Sequence, residues 1–504
     1  MKQPFCLPKD KHAGWWVAVV LVCGAFALKV LGLIDATSLW SDELYSVGKS
    51  FQPDYGALLA MLRQDTHPPI YYSLLWLWGA AVGQSAVSLR LLSWLAYGLG
   101  AVVMVAQVRQ LAAPSHRQRA MALAALLAFC SPYPVRFAIE GKSYALLVLL
   151  VALGWWLRSR LLLQHARHEE GKVAGFLYGL VVAAAGLTHF YGLFVFLAAA
   201  AWDGWQKRWH LPATTVVAVL PALAWIGYAS AYLFSSRSAS WIGPPDFALF
   251  EEILARGLGP WPLPKLLLIG LVVMLIRRWG LRSWGCEEPK KALMSRSLLD
   301  RTGVIPSLVM LVAVVVVSFL KPMAFSRYFV VLLPALLPWI TLKTAALPLN
   351  ALGRRTGLLL LAVLLALWWQ QSFFGIDAAQ TAGREADDFR AVSALTAGQV
   401  ERFGPRPRLL NLSDRMEQAA GRLQSPPTPW GDEGALIQRL QQHPLPQQLW
   451  LAASGPAGVM QKRLRPLQAE VERSGLACEA LESPPFTRVL RCRYLWGSVS
   501  NFAQ

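Results

Sequence analysis

A chain of 504 residues with 55% apolar residues, 22 tryptophans and a mean hydropathy of +0.40 is too hydrophobic over its larger, N-terminal part for a soluble globule. It reads as a protein that crosses a membrane several times. The net charge of +19 would suggest a nucleic-acid partner in a soluble protein, but here the Lys and Arg sit in short loops between apolar runs, and that footprint of membrane orientation excludes nucleic acid.

Taken in order, Lys2, Lys9 and Lys11 precede an apolar run at 14–33 with no small-residue cleavage site after it. The run is therefore read as a retained first span rather than a signal peptide. Further runs centre on 88–107, 119–135, 143–159, 173–187, 190–203, 212–234, 263–277, 303–320, 328–345 and 356–372, giving about eleven spans. A run at 68–83 is short and opens on Pro68-Pro69. Counted as a span it would put most basic loops outside, so it is assigned to a helix on the outer membrane surface, with its Tyr and Trp at the interface. The loops carrying Arg109, Arg117 and Arg119, then Arg158, Arg160, Arg167 and Lys172, then Lys207 and Arg208, then Arg277 to Arg301, then Lys343, Arg354 and Arg355, all face the cytosol on this reading. The N-terminus lies inside and the C-terminus outside.

Residues 373–504 change character, being polar and rich in Pro and Gln. They are expected to form a small extracytoplasmic α/β domain beside a membrane domain at 1–372. The pattern predicts helices near 385–397, 434–442 and 458–474, strands at 408–412 and 448–453, and two more strands around Pro484-Pro485. Cys478 and Cys492 are equidistant from Pro485, so a hairpin turning there sets them opposite each other. An oxidising outer compartment would let a disulfide form; the alternative is a pair of buried thiols. The other cysteines, Cys6, Cys23, Cys130 and Cys286, fall in spans or on the cytosolic side, without metal spacing. Neither an internal repeat nor a nucleotide-binding Gly-rich loop is present in the sequence. An activated substrate would therefore arrive already attached to lipid.

The polar candidates gather on the outer face: Asp42 and Glu43 after the first span, His67 before the surface helix, and Arg136, Glu140 and Lys142 between the third and fourth spans. They continue with His189 and Tyr191 between the fifth and sixth, Trp241 after the seventh, and Lys321, Arg327 and Tyr328 before the tenth. Ionisable groups at membrane depth are costly and usually functional. Each also has a plainer role: a solvated acid pair for Asp42-Glu43, a salt bridge for Glu140, a helix start for His67, interfacial anchors for Arg327, Tyr328, Lys321 and Lys142, and packing for His189 and Tyr191.

Trp40-Ser41-Asp42-Glu43, then His67-Pro68-Pro69-Ile70-Tyr71-Tyr72, Glu140-Gly141-Lys142-Ser143-Tyr144, Thr188-His189-Phe190-Tyr191-Gly192 and Ser326-Arg327-Tyr328-Phe329 resemble, in order and spacing, the glycosyltransferase C superfamily. The bacterial protein O-mannosyltransferases, aminoarabinose transferases and lipopolysaccharide-core galacturonosyl transferases are the similar groups. The resemblance covers about residues 14–345 and implies a polyprenyl-phosphate sugar donor, an extracytoplasmic acceptor and an acid of the first outer loop at the reacting centre. On the matching positions it assigns that acid to Asp42, with Glu43 beside it, the His-Pro-Pro position to His67, the second acid to Glu140 and the late Arg-Tyr motif to Arg327 and Tyr328. The chain departs at Glu140-Gly141-Lys142, where relatives carry Glu-Ala-Arg.

These residues fit an inverting single displacement in the bacterial inner membrane. A departing polyprenyl phosphate needs cations, which Arg327, Lys321, Lys142 and His67 would supply, and an acceptor hydroxyl needs a base, for which Asp42 is best placed. Tyr71, His189, Tyr191 and Trp241 are expected to line the substrate. No cofactor is expected; a divalent metal stays open, since Asp42, Glu43, His67 and Glu140 would hold one if the fold gathered them. Two other classes remain: a flippase or transporter of polyprenyl-linked sugars, which would need charges along an internal path, and a non-catalytic assembly protein of the cell envelope.

Overall fold

The structure is a computed structural model that describes residues 13–35, 39, 41–169, 171–235, 242–258, 296–347, 351–381, 395, 399, 401–404, 431, 433–454, 457–483 and 487–494. The helical part runs α1 (Ala13–Gly32), α2 (Ser41–Ser50), α3 (Tyr55–Leu62), α4 (Ile70–Val82), α5 (Ala86–Leu111), α6 (Arg117–Cys130), α7 (Pro132–Ala138), α8 (Tyr144–Ala166), α9 (Lys172–Gly186) and α10 (Phe190–Trp205). It continues with α11 (His210–Tyr228), α12 (Ser230–Leu233), α13 (Phe247–Leu258), α14 (Arg296–Arg301), α15 (Val304–Ser318), a 3-10 turn (Ser326–Leu332), α16 (Leu333–Ala345) and α17 (Ala351–Thr381). The chain is a polytopic membrane protein. Helices at Ala86–Leu111, Tyr144–Ala166, His210–Tyr228 and Ser326–Ala345 are long and apolar enough to cross a bilayer, and shorter apolar helices accompany them. The expected run at 263–277 lies outside the described residues.

Local chemistry explains the breaks. Pro132 starts α7 directly after α6, where its missing N–H costs nothing. The Asp54 carboxylate accepts from the Ala57 N–H at 2.8 Å to open α3, and Asp246 does the same for Leu249 at 2.9 Å to open α13. The helix expected on the membrane surface is α4, whose 13 residues span about 20 Å, short of the roughly 30 Å hydrocarbon layer.

The described chain separates into two compact units. The first comprises Met1–Gly32, Leu59–Tyr71 and Ser93–Ser372; the second comprises Leu33–Leu58, Tyr72–Leu92 and Phe373–Gln504. The sequence reading divides the chain into 1–372 and 373–504, and the last segment of the second unit begins at Phe373. The second unit takes in stretches of the N-terminal part, and α17 continues as one helix through residue 372 to Thr381. Nothing in the peptide backbone breaks there, because no Pro lies between Ala351 and Thr381.

In the first unit Trp155, Tyr178 and Phe196 are fully buried and organise the core between α8, α9, α10, α15 and α16. Gly303, with φ +88, joins α14 to α15, and a Cβ there would stand 2.4 Å from the Trp155 ring, so the turn demands glycine on both backbone and steric grounds.

The same unit buries a charge network. Arg158 of α8, expected in a cytosolic loop, is fully buried. It donates from Nε to Asp203 Oδ2 at 2.8 Å, from Nη2 to Asp203 Oδ1 at 2.7 Å and Asp300 Oδ1 at 2.8 Å, and from Nη1 to the Asp300 carbonyl at 2.7 Å. Arg208 closes the square at 3.0 Å from Asp203 and 2.6 Å from Asp300, and Trp202 Nε1 donates to Asp300 Oδ1 at 2.9 Å. Two guanidinium ions and two carboxylates thus neutralise each other and tie α8, α10 and α14 together.

In the second unit β1 (Arg402–Phe403), α18 (Glu433–Leu440), β2 (Gln448–Ser454), α19 (Ala457–Arg473), β3 (Leu476–Ala480) and β4 (Thr487–Tyr494) form a four-stranded sheet in the order β1-β2-β4-β3 with helices against it. Leu449, Leu451 and Ala453 face Met460, Leu464, Leu467 and Val471 of α19. Trp450, Ala452 and Val489 face the other way, as strand alternation requires. The register sets Cys478 opposite Cys492, and the two are joined in a disulfide. The expected strand at 408–412, and the helix at 385–397 apart from Leu395, lie outside the described residues.

Burial raises the Asp300 carboxyl, but the Arg208 hydrogen bond and the Arg158 charge outweigh it and hold it below the ordinary carboxylate range. Such a group stabilises the fold above the unfolded carboxylate range and loses that contribution as pH falls through its folded value. Arg158→Met is expected to cost about 3–5 kcal/mol, since it leaves two buried carboxylates to Arg208 alone, and Asp300→Asn less. Thermal unfolding in detergent checks this; wild type and Arg158→Met melting together would refute it.

Candidate functional site

In the first unit, several helices begin at one place. Asp65-Thr66-His67-Pro68-Pro69 leads into α4, Glu140-Gly141-Lys142-Ser143 into α8, Thr188-His189 into α10, and Phe325 into the 3-10 turn that continues as α16. The Ile70 N–H donates to the Leu187 carbonyl at 2.9 Å, pinning the start of α4 to the turn between α9 and α10. His189 caps α10, its Nδ1 accepting from the Tyr191 N–H at 3.2 Å.

Rings fill the space between these starts. The His189 ring lies 6.0 Å from His67, 5.9 Å from Tyr144, 5.6 Å from Tyr191 and 4.9 Å from Tyr328, centroid to centroid. Tyr328 also meets Tyr191 at 5.2 Å and Tyr144 at 6.1 Å. Tyr191 Oη donates to the Met323 carbonyl at 2.8 Å. His67 Nδ1 lies 3.1 Å from Asp65 Oδ2, which fixes how that imidazole presents its other nitrogen.

Charged side chains stand among the rings. Glu140, Lys142 and Arg327 are all buried. Arg136 lies 3.8 Å from Glu140, the Lys142 N–H donates to the Glu140 carbonyl at 2.7 Å, and the Arg327 guanidinium rests 4.8 Å from the Phe325 ring centre. Burial, with the nearby His67 and Lys142, pushes His189 down to about 3, so it is neutral at physiological pH. The positive ends of the helix dipoles, Lys142, Arg136 and Arg327, balanced in part by Glu140, make this a place that favours an anion.

Of the residues expected to act together, His67, Glu140, Lys142, His189, Tyr191, Arg327 and Tyr328 are brought together here. Tyr71 is buried in the first turn of α4. Lys321 is exposed and donates to the Leu233 carbonyl at 3.0 Å beside the Phe234 ring, at the end of α12. Trp241 lies outside the described residues. Among the described residues no group of three or more His, Cys, Asp or Glu is arranged to hold a metal ion.

Asp42 and Glu43 belong to the second unit, in the first turn of α2, where acids suit the helix dipole. They differ sharply. Asp42 is partly exposed, whereas Glu43 is fully buried, with Oε1 2.8 Å from Arg90 Nε and Oε2 2.6 Å from Arg90 Nη2. Arg90 Nη1 adds a bond to the Ile34 carbonyl at 2.9 Å. A carboxylate held by both oxygens on one guanidinium braces the turn that carries Asp42. Arg90 itself escaped the sequence reading, as did Asp65; the Asp-x-His spacing was the signal available for the latter.

No family model and no curated protein matches the sequence. The helical array nevertheless has a known fold. It is similar to the crystal structure of ArnT from Cupriavidus metallidurans bound to undecaprenyl phosphate, at 15% identity and TM-score 0.52, covering 95% of this chain and 98% of that one. The apo-state structure of the same protein gives 14% identity and TM-score 0.54 over the same shares, 95% and 98%. At this identity the likeness is one of fold.

Two outcomes follow. Glu43→Leu and Arg90→Leu should each destabilise by about 3–5 kcal/mol while the double variant recovers most of the loss, read as a double-mutant cycle of melting in detergent. Additive losses would show that the pair is not coupled. Because His189 is held below its ordinary 6.5, the unfolded chain binds the extra proton first. Stability should fall by up to about 1.4 kcal/mol per pH unit below that value and level off near the folded one. His189→Gln should remove this slope; an unchanged slope assigns it elsewhere.

Proposed function

We propose that the protein is a membrane glycosyltransferase that moves a sugar from a polyprenyl-phosphate donor to an acceptor on the extracytoplasmic face of a bacterial inner membrane. The observation that carries this reading is the meeting of the α4, α8 and α10 starts around buried Lys142 and Arg327, lined by Tyr144, Tyr191, Tyr328 and neutral His189. The fold likeness to a protein crystallised with undecaprenyl phosphate agrees with it.

In this reading Arg327, Lys142 and His67 hold the donor phosphate. Arg327 suits two phosphate oxygens at once, Lys142 supplies a point charge, and His67 is oriented by Asp65. As the glycosidic C–O bond breaks, the leaving phosphate gains charge in a desolvated place where fixed cations and helix N-termini stabilise it strongly. Asp42 takes the proton from the acceptor hydroxyl as the new C–O bond forms on the opposite face, inverting the anomeric carbon. The tyrosines and His189 line the sugar, and α4 lies at the lipid entrance, leaving the polyprenyl chain in the bilayer. The order of charges fits about eleven spans with the N-terminus inside and residues after α17 outside.

The test is transfer from a panel of undecaprenyl-phosphate sugars in membranes holding wild type or Asp42→Asn, with products identified by mass. Wild type should form a product that Asp42→Asn makes at least about a hundredfold more slowly, with donor binding retained. Arg327→Ala should instead weaken donor binding about tenfold or more. No product from folded, donor-binding wild type would overturn the transferase reading, and unchanged donor affinity in Arg327→Ala would remove that residue from the phosphate site.

A further inference from the structure

The first unit brings together two thiols that none of the motifs includes. Cys130, the last residue of α6, is buried in an apolar cluster with Val19, Phe26, Leu126 and Trp368, and Cys23 of α1 packs against that cluster half-buried. Both are free thiols, and they are hydrogen-bonded to each other. A single cysteine among apolar side chains fills space, but two sulfurs in contact from different helices have a reaction open to them. The meeting is braced from several sides. Trp16 Nε1 donates to Gln118 Oε1 at 2.6 Å and ties the start of α1 to the start of α6. Lys29 donates to the Trp369 carbonyl at 2.7 Å, and Phe26 meets the Trp369 ring edge-on at 5.0 Å, which fixes the far end of α1 on α17. The Tyr97 hydroxyl of α5 donates to the Ala128 carbonyl in the last turn of α6. Helices held in this way keep the sulfurs within reach of each other, as a cross-link between them requires.

The place selects the oxidant. Cys23 lies midway along α1. With α1 read as a span, its sulfur stands at hydrocarbon depth, out of reach of a water-soluble oxidant and open to one dissolved in the lipid. We propose that Cys23 and Cys130 are a redox-active pair that a lipid-soluble quinone oxidises to a disulfide joining α1 to α6. One sulfur adds to the quinone ring; the other attacks that sulfur and displaces the ring as hydroquinone. One S–S bond replaces two S–H bonds, and the two electrons and two protons leave on the quinone. The link closes a loop of about a hundred residues, so it holds the native state against unfolding. It also fastens α1 to the end of α6, directly before Ser131 and Pro132 turn the chain into α7, the helix that carries Arg136. The proposal stands apart from the transferase reading.

The experiment reads thiols and melting, not turnover. Wild type, Cys23→Ala and Cys130→Ala in lipid nanodiscs are incubated with a short-chain benzoquinone or with oxidised glutathione. Each sample is then denatured without reductant, alkylated with a maleimide and digested for peptide masses, with melting curves recorded in parallel. Quinone-treated wild type should yield a linked peptide pair holding Cys23 and Cys130, neither of them alkylated, and a phosphine reductant should restore both thiols. Its melting temperature should rise by about 2 °C or more. Either variant should leave its remaining cysteine unlinked and show no rise. Glutathione should act at least about tenfold more slowly than the quinone. Full alkylation of both thiols after quinone, a stable quinone adduct without linkage, or linkage of either thiol to Cys6 or Cys286 would overturn the pair. Oxidation by glutathione as fast as by quinone would overturn the lipid-borne oxidant, and an unchanged melting temperature in the linked protein would overturn the lock between α1 and α6. Should a variant fail to fold, the peptide linkage in wild type decides by itself.

Discussion

An ion placed among apolar helices must find its opposite, because the cost of stripping its water is several kcal/mol and cannot be met by packing alone. This constraint shapes the protein more than any single hydrophobic contact. Apolar residues are abundant enough that α8, α9 and α10 would pack in several registers, but Arg158 has one arrangement in which Asp203 and Asp300 both reach it. The quartet with Arg208 therefore selects the relative setting of α8, α10 and α14. Glu43 and Arg90 act likewise in the second unit, where their fork, with the bond from Arg90 to the Ile34 carbonyl, fixes the start of α2.

Where charges close on each other in this way, they hold structure. The cluster around His189 is built differently. Glu140 stands among Arg136, Lys142 and Arg327, Asp65 is taken up by His67, and aromatic rings and the neutral His189 imidazole line the space between. Such a lining excludes water without competing for charge, and in low dielectric each cation acts more strongly on a phosphate than it would in solvent. Neutral His189 has a specific part in this: protonated, it would repel Lys142 and could no longer accept the Tyr191 N–H that caps α10.

How much of this was legible in the sequence follows from the range of the interactions. Hydrocarbon demands long apolar runs, so α1, α5, α8, α9, α11, α15 and α16 fall where hydropathy places them. The tail's strands and helices from Glu433 onward follow from local alternation and turn chemistry, including the opposition of Cys478 and Cys492. Buried ion pairs have no local signature. Arg158 meets partners 45 and 142 residues away, and Glu43 meets Arg90 at a separation of 47, so Arg158 reads as an ordinary loop charge and Arg90, inside an apolar run, goes unmarked. The site was legible only as an ordered set of short motifs. Their meeting required the turns before α4, α8 and α10 to fall at one place, and spacing along the chain does not contain that information.

The backbone adds what the side-chain motifs leave out. The first N–H groups of a helix lie outside its own ladder, and each of α4, α8 and α10 begins immediately after a motif residue, His67-Pro68-Pro69, Lys142-Ser143 and His189, with the Ile70 N–H taken by the Leu187 carbonyl and the Tyr191 N–H by His189. These N–H groups cannot be neutralised by titration, and they hold their direction without the entropy cost of ordering a long side chain. Lys142 and Arg327 then need only complete a field that the helix starts already provide. At Gly141-Lys142 a point charge stands at a place where the backbone of the α8 start supplies the direction. The backbone also separates the two kinds of residue in the motifs. Prolines and histidine cap shape the helix starts, while the cations and tyrosines occupy the space those starts define.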